Sequence, residues 1–145
     1  MKVDNIEDCF KFRLLRKIEP NSEKSKRSME LAEQEAVEAE SAMKFPILKY
    51  VILSSYFAMF HAARAVLYRD GIQEKSHYAI FVYLKEKYSK KVHLSVLNLL
   101  NVHRIERHEA MYGLDYKPDK EEADRAIKDA KLFIKEMGLL LKEGK

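Results

Sequence analysis

The sequence predicts an all-α protein: an antiparallel up-and-down helical bundle of four to five main helices plus a short helix. Three observations predict it. Apolar residues recur every three or four positions along most of the chain, which is the period of a helix with one face turned inward. Only four Gly and three Pro occur in 145 residues, so few turns are forced and long helices are favoured over many short strands. No segment carries the strict alternation of a half-buried strand.

The first helix is expected over IEDCFKFRLLRKI, roughly residues 5–18, where Ile6, Phe10, Leu14 and Ile18 recur every four. Pro20-Asn21 breaks it. A second helix starts near Ser22 and runs to about residue 43, with Met29, Ala32, Ala36, Ala39 and Met43 inward and a row of glutamates outward. A third, about 46–69, holds Pro46 in its first turn, where proline is tolerated. It carries no Asp, Glu, Lys or Arg from Val51 to Ala63, and a helix apolar nearly all round is the central one. Its Ser54, Ser55, Ala58, Ala62 and Ala65 let neighbours approach closely. Asp70-Gly71 ends it, with Gly71 a left-handed cap. Ser76 caps the short helix HYAIFVYLKEKY. The fifth helix spans about 92–112 and leaves through Gly113. The last begins at Pro118-Asp119, where Asp119 and Glu122 have capping-box spacing. Ala123, Ala126, Ile127, Ala130, Phe133, Ile134 and Met137 form its inner face.

Residues 1–145 make one domain, since 47% apolar residues supply a core and no linker or repeat divides the chain. The net charge of +4 is a mild bias that does not by itself argue for nucleic acid. Cys9, alone, offers neither an internal disulfide nor a zinc set. No secretory leader is evident, and no apolar stretch reaches the ~18–20 residues of a membrane span. The protein is expected to be cytoplasmic and off the membrane.

One stretch stands out, HRIERHEAMYG at 103–113. On a helix, Leu97, Arg104 and Met111 share one direction, with Leu100 on the same side, so Arg104 sits inside an apolar stripe. Arg is rarely buried unpaired. Arg104 must therefore meet a carboxylate, a subunit interface or a groove holding an anion. His108 follows Arg104 by four and Tyr112 follows His108 by four, forming a ladder on one side with Arg107 beside it. A titratable imidazole, two guanidiniums and a phenol make the inventory for metal-free phosphodiester cleavage, the His taking the ribose 2′-hydroxyl proton and the Arg stabilising phosphate charge. The same inventory binds phosphate without cutting it. A third possibility is that the helix dipole and local pairing with Glu106 and Glu109 account for the cluster.

Elsewhere, His61 reads as a core histidine hydrogen-bonded to a neighbour, His77 as an anchor of the turn at Ser76, His93 as an extension of a basic patch, and His103 as incidental. Residues 85–108 hold six Lys/Arg against two Glu, the one region with a basic bias and a possible track for a phosphate backbone. His103 and His108 are five apart and diverge on a helix, so no metal site is expected. No glycine-rich phosphate loop is present and no cofactor is expected.

Four stretches together resemble the HEPN domain, a helical family named for its occurrence in higher eukaryotes and prokaryotes and for proposed nucleotide binding. They are SSYFAMFHAARAVLYRDG at 54–71, EKSHYA at 74–79, ERHEAMYG at 106–113 and ADRAIKDAKLFIKEM at 123–137, and the resemblance covers about 22–140. It implies a homodimer, a small nucleotidyltransferase partner and a toxin–antitoxin setting. Active members are metal-independent endoribonucleases whose motif is Arg, four to six residues, then His. Here Arg104 to His108 has three intervening residues, and Arg107 to Tyr112 has four but ends in Tyr. A phenol, with a pKa of ~10, is a poor base near neutrality. The expectation is therefore a helical dimer that binds RNA or nucleotide phosphate through Arg104, Arg107, His108 and Tyr112. The alternatives are an active endoribonuclease using Arg104 and His108, and a non-catalytic partner-binding module.

Overall fold

The computed structural model describes residues 2–143. In chain order its elements are α1 (Ile6–Lys11), β1 (Leu15–Lys17), α2 (Ser22–Lys44), α3 (Leu48–Asp70), β2 (Ile72–Glu74), α4 (His77–Tyr88), α5 (Leu94–Tyr112) and α6 (Lys120–Glu143). The all-α bundle is as expected, with one small addition, a two-stranded sheet.

The four long helices alternate in direction. Ser25 Oγ donates to the Ala65 carbonyl and Ser28 Oγ to the His61 carbonyl, so α2 runs antiparallel to α3. Ala110 of α5 packs on Ile52 and Ala126, while His103, two turns earlier in α5, meets Asp129; α5 is therefore antiparallel to α6. At the other end of α6, the Leu140 carbonyl accepts from Arg69. α3 lies at the centre. Val51, Ile52, Ala58, Met59, Ala62, Ala63, Val66 and Leu67 are at most 1% exposed. By length and composition α3 could cross a membrane, contrary to the expectation from sequence, but 72% of its most apolar window is buried inside the bundle. Its apolar surface is already covered by protein.

Local signals account for most helix ends. Asn5, Asn21 and Ser76 accept from backbone N–H groups of the turns they cap, and Asp119 and Glu122 exchange the two bonds of a capping box. Pro46 lies just outside α3 rather than in its first turn, with Ile47 at the cap. Gly113 ends α5 in extended backbone; among the described residues Gly71 is the one left-handed glycine, with φ of 80°. A Cβ on Gly71 would lie 2.7 Å from the Ile18 carbonyl oxygen.

The first helix is the correction. It stops at Lys11, not near residue 18. Arg13 adopts φ of 60°, Leu14 N–H turns back to the Cys9 carbonyl at 2.8 Å, and the chain leaves as β1. That strand pairs antiparallel with β2, Arg16 opposite Gln73. The four-residue stripe of Ile6, Phe10, Leu14 and Ile18 is satisfied instead by a short helix plus a strand lying on the segment after Gly71, with Ile18 N–H donating to the Gly71 carbonyl. Nothing local distinguishes the two solutions; the docking partner does.

Two buried polar networks fasten the bundle. Asp70, with a side chain 1% exposed, accepts from the hydroxyls of Tyr83 and Tyr88 and from Arg69 Nε. Arg69 in turn donates to Tyr88 and to the Leu140 carbonyl at 2.6 Å. The end of α3 is thereby tied to α4 and α6. Burial, then the Asp70 carboxylate, raises the Tyr88 phenol to about 12, keeping it a donor. His103 is the second fastening. It is 5% exposed and lies 2.8 Å from Asp129 of α6 and 3.3 Å from Glu106. Far from incidental, it bridges α5 and α6. Burial alone would lower its pKa, but hydrogen bonds and charge from Glu106 and Asp129 outweigh that and raise it.

Two predictions follow from these networks. Asp70→Ala leaves Arg69 Nε and two tyrosine hydroxyls without their acceptor, so urea denaturation should show a loss of roughly 3–5 kcal/mol. His103→Ala should cost about 2 kcal/mol below pH 6.5. Because the folded-state value is raised, the bridge stabilises fully below the unfolded value and fades as pH rises through the folded one. The gap between wild type and variant should therefore narrow in denaturation curves taken from pH 6 to pH 9.

Candidate functional site

α5 is pinned on one side by His103 and Ala110 against α6. That pinning turns Arg104 and Arg107 toward the middle of α3 and the start of α4. The Arg104 guanidinium lies 5.2 Å from the centre of the Tyr78 ring, and its Nε donates to Asn101 Oδ1 at 2.9 Å. The Arg107 guanidinium lies 5.6 Å from Phe57 and 5.9 Å from Tyr56. Its Nε is enclosed and has no hydrogen-bond partner. Among the described residues neither arginine forms an ion pair. Of the partners the sequence allowed for Arg104, the carboxylate within the chain is absent; Glu106 is taken by His103.

α3 supplies the floor. Tyr56, Phe60 and Arg64 recur every four residues on the sector facing α4. His77, in the first turn of α4, stacks on Phe60 with centres 4.3 Å apart and planes 13° from parallel. Its Nδ1 is 2.7 Å from the Tyr56 hydroxyl. Burial, then Arg107, Arg104 and Arg64, lowers its pKa to about 4, and burial raises the Tyr56 phenol. Arg64 lies 5.2 Å from Phe60 and is paired with Glu74 at 3.0 Å. The site is thus a cationic–aromatic face where α3, α4 and α5 meet, at the positive end of the α4 dipole.

The predicted ladder is met in part. His108 and Tyr112 are exposed and their rings sit 4.9 Å apart, as i, i+4 neighbours should. Arg104 is directed toward Asn101 and Tyr78. Met111, expected to share the apolar stripe of Leu97, is instead 44% exposed. His77 does not anchor the turn; Ser76 does, and His77 joins the site. His93 caps α5, its Nδ1 accepting from Ser95 N–H. His61 Nδ1 is enclosed without the hydrogen bond expected of it.

A family model for the HEPN domain matches residues 25–140. The chain belongs to the HEPN domain family. It is also 25% identical over 120 residues, 79% of this chain and 87% of the relative, to a protein of Methanocaldococcus jannaschii named "Putative toxin MJ0605". The match leaves out α1 and β1, which precede residue 25, and includes every residue of the cationic–aromatic face.

In this HEPN domain the residues that sequence reasoning missed are Tyr56, Phe57, Phe60, Arg64, His77 and Tyr78. The available signal was the Tyr56–Phe60–Arg64 spacing, an aromatic and cationic stripe at four-residue intervals on α3. The pairing of that stripe with α4 has no local signature.

The depressed His77 has a measurable consequence. A folded value near 4 against an unfolded value near 6.5 means that the folded state resists protonation. Stability should be full above pH 6.5 and fall as pH drops toward 4, with His61, also lowered by burial and Arg64, adding the same sign. His77→Gln should flatten that acid limb in denaturation curves measured from pH 7 to pH 4.

Proposed function

We propose that this HEPN domain binds RNA or nucleotide phosphate on the α3–α4–α5 face, as a homodimer working alongside a small nucleotidyltransferase in a toxin–antitoxin-like pair. The observation that carries the proposal is the pair Arg104 and Arg107, two half-buried guanidiniums held over aromatic rings with no carboxylate to compensate them. The desolvation of such a charge is offset when an anion fills the vacancy. Phosphate suits the forked donors of arginine, and the aromatic rings beside them offer faces on which bases stack. His108 and Tyr112 lie at the open edge, where a strand leaving the site would pass.

Two further facts support the biological setting. The Methanocaldococcus jannaschii relative carries a toxin name. The outer side of α5 leaves Val102, Ile105 and Tyr112 at 57%, 51% and 64% exposure, beside Leu114 at 99%. An apolar strip on the outer side of the helix that carries the two arginines is where a second copy would dock.

Binding is favoured over cleavage on geometric grounds. An Arg–His pair acting on one phosphodiester must converge on it. Arg104 is engaged by Asn101 and Tyr78, while His108 is held only by its contact with Tyr112.

The test is a titration of labelled single-stranded RNA with purified protein in EDTA. Arg107→Ala should weaken binding about tenfold or more and reduce the salt slope by about one. Intact RNA with unchanged affinity in both Arg104→Ala and Arg107→Ala would sink the proposal. Cleavage lost in His108→Ala would replace it with the nuclease reading.

A further inference from the structure

The mechanism of anion binding just described leaves His77 without a role, although its ring is among the best-held side chains of the face. Phe60 stacks on it and the Tyr56 hydroxyl meets its Nδ1 at 2.7 Å. A phenol whose pKa burial has raised is a donor, so Nδ1 accepts and the neutral ring carries its proton on Nε2. Among the described residues Nε2 has no hydrogen-bond partner and is not sealed from solvent. The same Tyr56 ring lies 5.9 Å from the Arg107 guanidinium. Tyr78, the next residue along α4, lies 5.2 Å from that of Arg104. An imidazole with a free donor and two uncompensated guanidiniums therefore converge through two aromatic residues.

Resting on the phosphate reading above, we propose that His77 is the imidazole of this site: it contacts the bound phosphate together with Arg104 and Arg107, and takes up a proton as the anion binds. The charged and titratable groups around it set the sign. α3 supplies Tyr56 and Arg64, β2 supplies Glu74, which is paired with Arg64, and α5 supplies Arg104 and Arg107. In the empty site burial and the three guanidiniums keep the ring neutral. A phosphate set among those guanidiniums offsets their field and accepts a hydrogen bond from the imidazolium, and both effects favour the charged ring. His108, by contrast, is exposed and makes no hydrogen bond that would fix it. His103 is committed to Asp129 and Glu106. His77 thus fills the place that the Arg-x4-Tyr spacing of α5 leaves without an imidazole.

The probe is oligouridylate with a 5′-hydroxyl end, whose phosphodiesters and bases do not titrate between pH 5 and 8. Calorimetric titrations of the full chain at pH 6, in buffers of different ionisation enthalpy, read net proton uptake. Wild type should take up protons on binding and bind more tightly at pH 5.5 than at pH 7.5. His77→Gln should abolish the uptake and weaken binding at pH 6 by about tenfold, while His108→Gln retains the uptake. A wild-type measurement guards against a misfolded variant: the His77 ring resonance should titrate near pH 4 in the free protein and well above that in saturating oligouridylate. Tyr56→Phe should keep the aromatic packing yet shift that midpoint. Binding that depends on Arg107 but involves no proton uptake, or uptake that survives in His77→Gln, overturns this inference and leaves the phosphate reading standing. No binding by wild type overturns both.

Discussion

The architecture follows from one constraint, the need to cover α3 on nearly every side. A helix with no Asp, Glu, Lys or Arg between Val51 and Ala63 has no face that water stabilises. Three long helices close around it. Small residues set how near they come: Ser54, Ala58, Ala62 and Ala65 are buried, and the hydroxyls of Ser25 and Ser28 reach α3 carbonyls directly. Once α2, α5 and α6 are in place, one sector of α3 remains, and α4 lies across it. That sector carries Tyr56, Phe60 and Arg64. The candidate site is therefore a product of core packing rather than an addition to the surface.

The buried charges divide into two groups with different uses. Asp70, Arg69 and His103 are satisfied several times over, by hydroxyls, carboxylates and a helix carbonyl. Such networks stabilise through geometry, because each removed partner strands another in low dielectric. Arg104 and Arg107 have only aromatic faces and one asparagine. Under the proposed function, the partner these two lack within the fold is the bound phosphate. Arg64 stands between the groups, paired with Glu74 yet close enough to His77 to act on its protonation.

In the proposed homodimer the docking surface is the outer side of α5. Val102 and Ile105 are exposed on the outer side of α5 and Leu114 just past its end, while Arg104 and Arg107 face α3 and α4. A second copy packed there would leave each cationic–aromatic face open. It would also bury Leu114, which is 99% exposed in the single chain.

Periodicity and capping chemistry made much of the protein legible from sequence. The six helical segments, the central place of α3, the Gly71 cap, the Ser76 cap and the Asp119–Glu122 box all rest on interactions within four residues, which neighbouring letters encode. The anomaly of Arg104, a charge set in an apolar stripe with Arg107 beside it, was legible in the same way. The rest depended on contacts between residues far apart in the chain. Leu15–Lys17 becomes a strand because Ile72–Glu74 is there to receive it. His103 becomes a bridge because Asp129, 26 residues on, meets it. His77, which follows a cap and looks like part of it, becomes a site residue because Tyr56 and Phe60 lie beneath it. Sequence by itself determined the long helices, the central place of α3 and the setting of Arg104 and Arg107 on α5, since each is a property of one helix and its periodicity. Only the tertiary structure decided which histidine stands beside those arginines, since that is a property of three helices meeting.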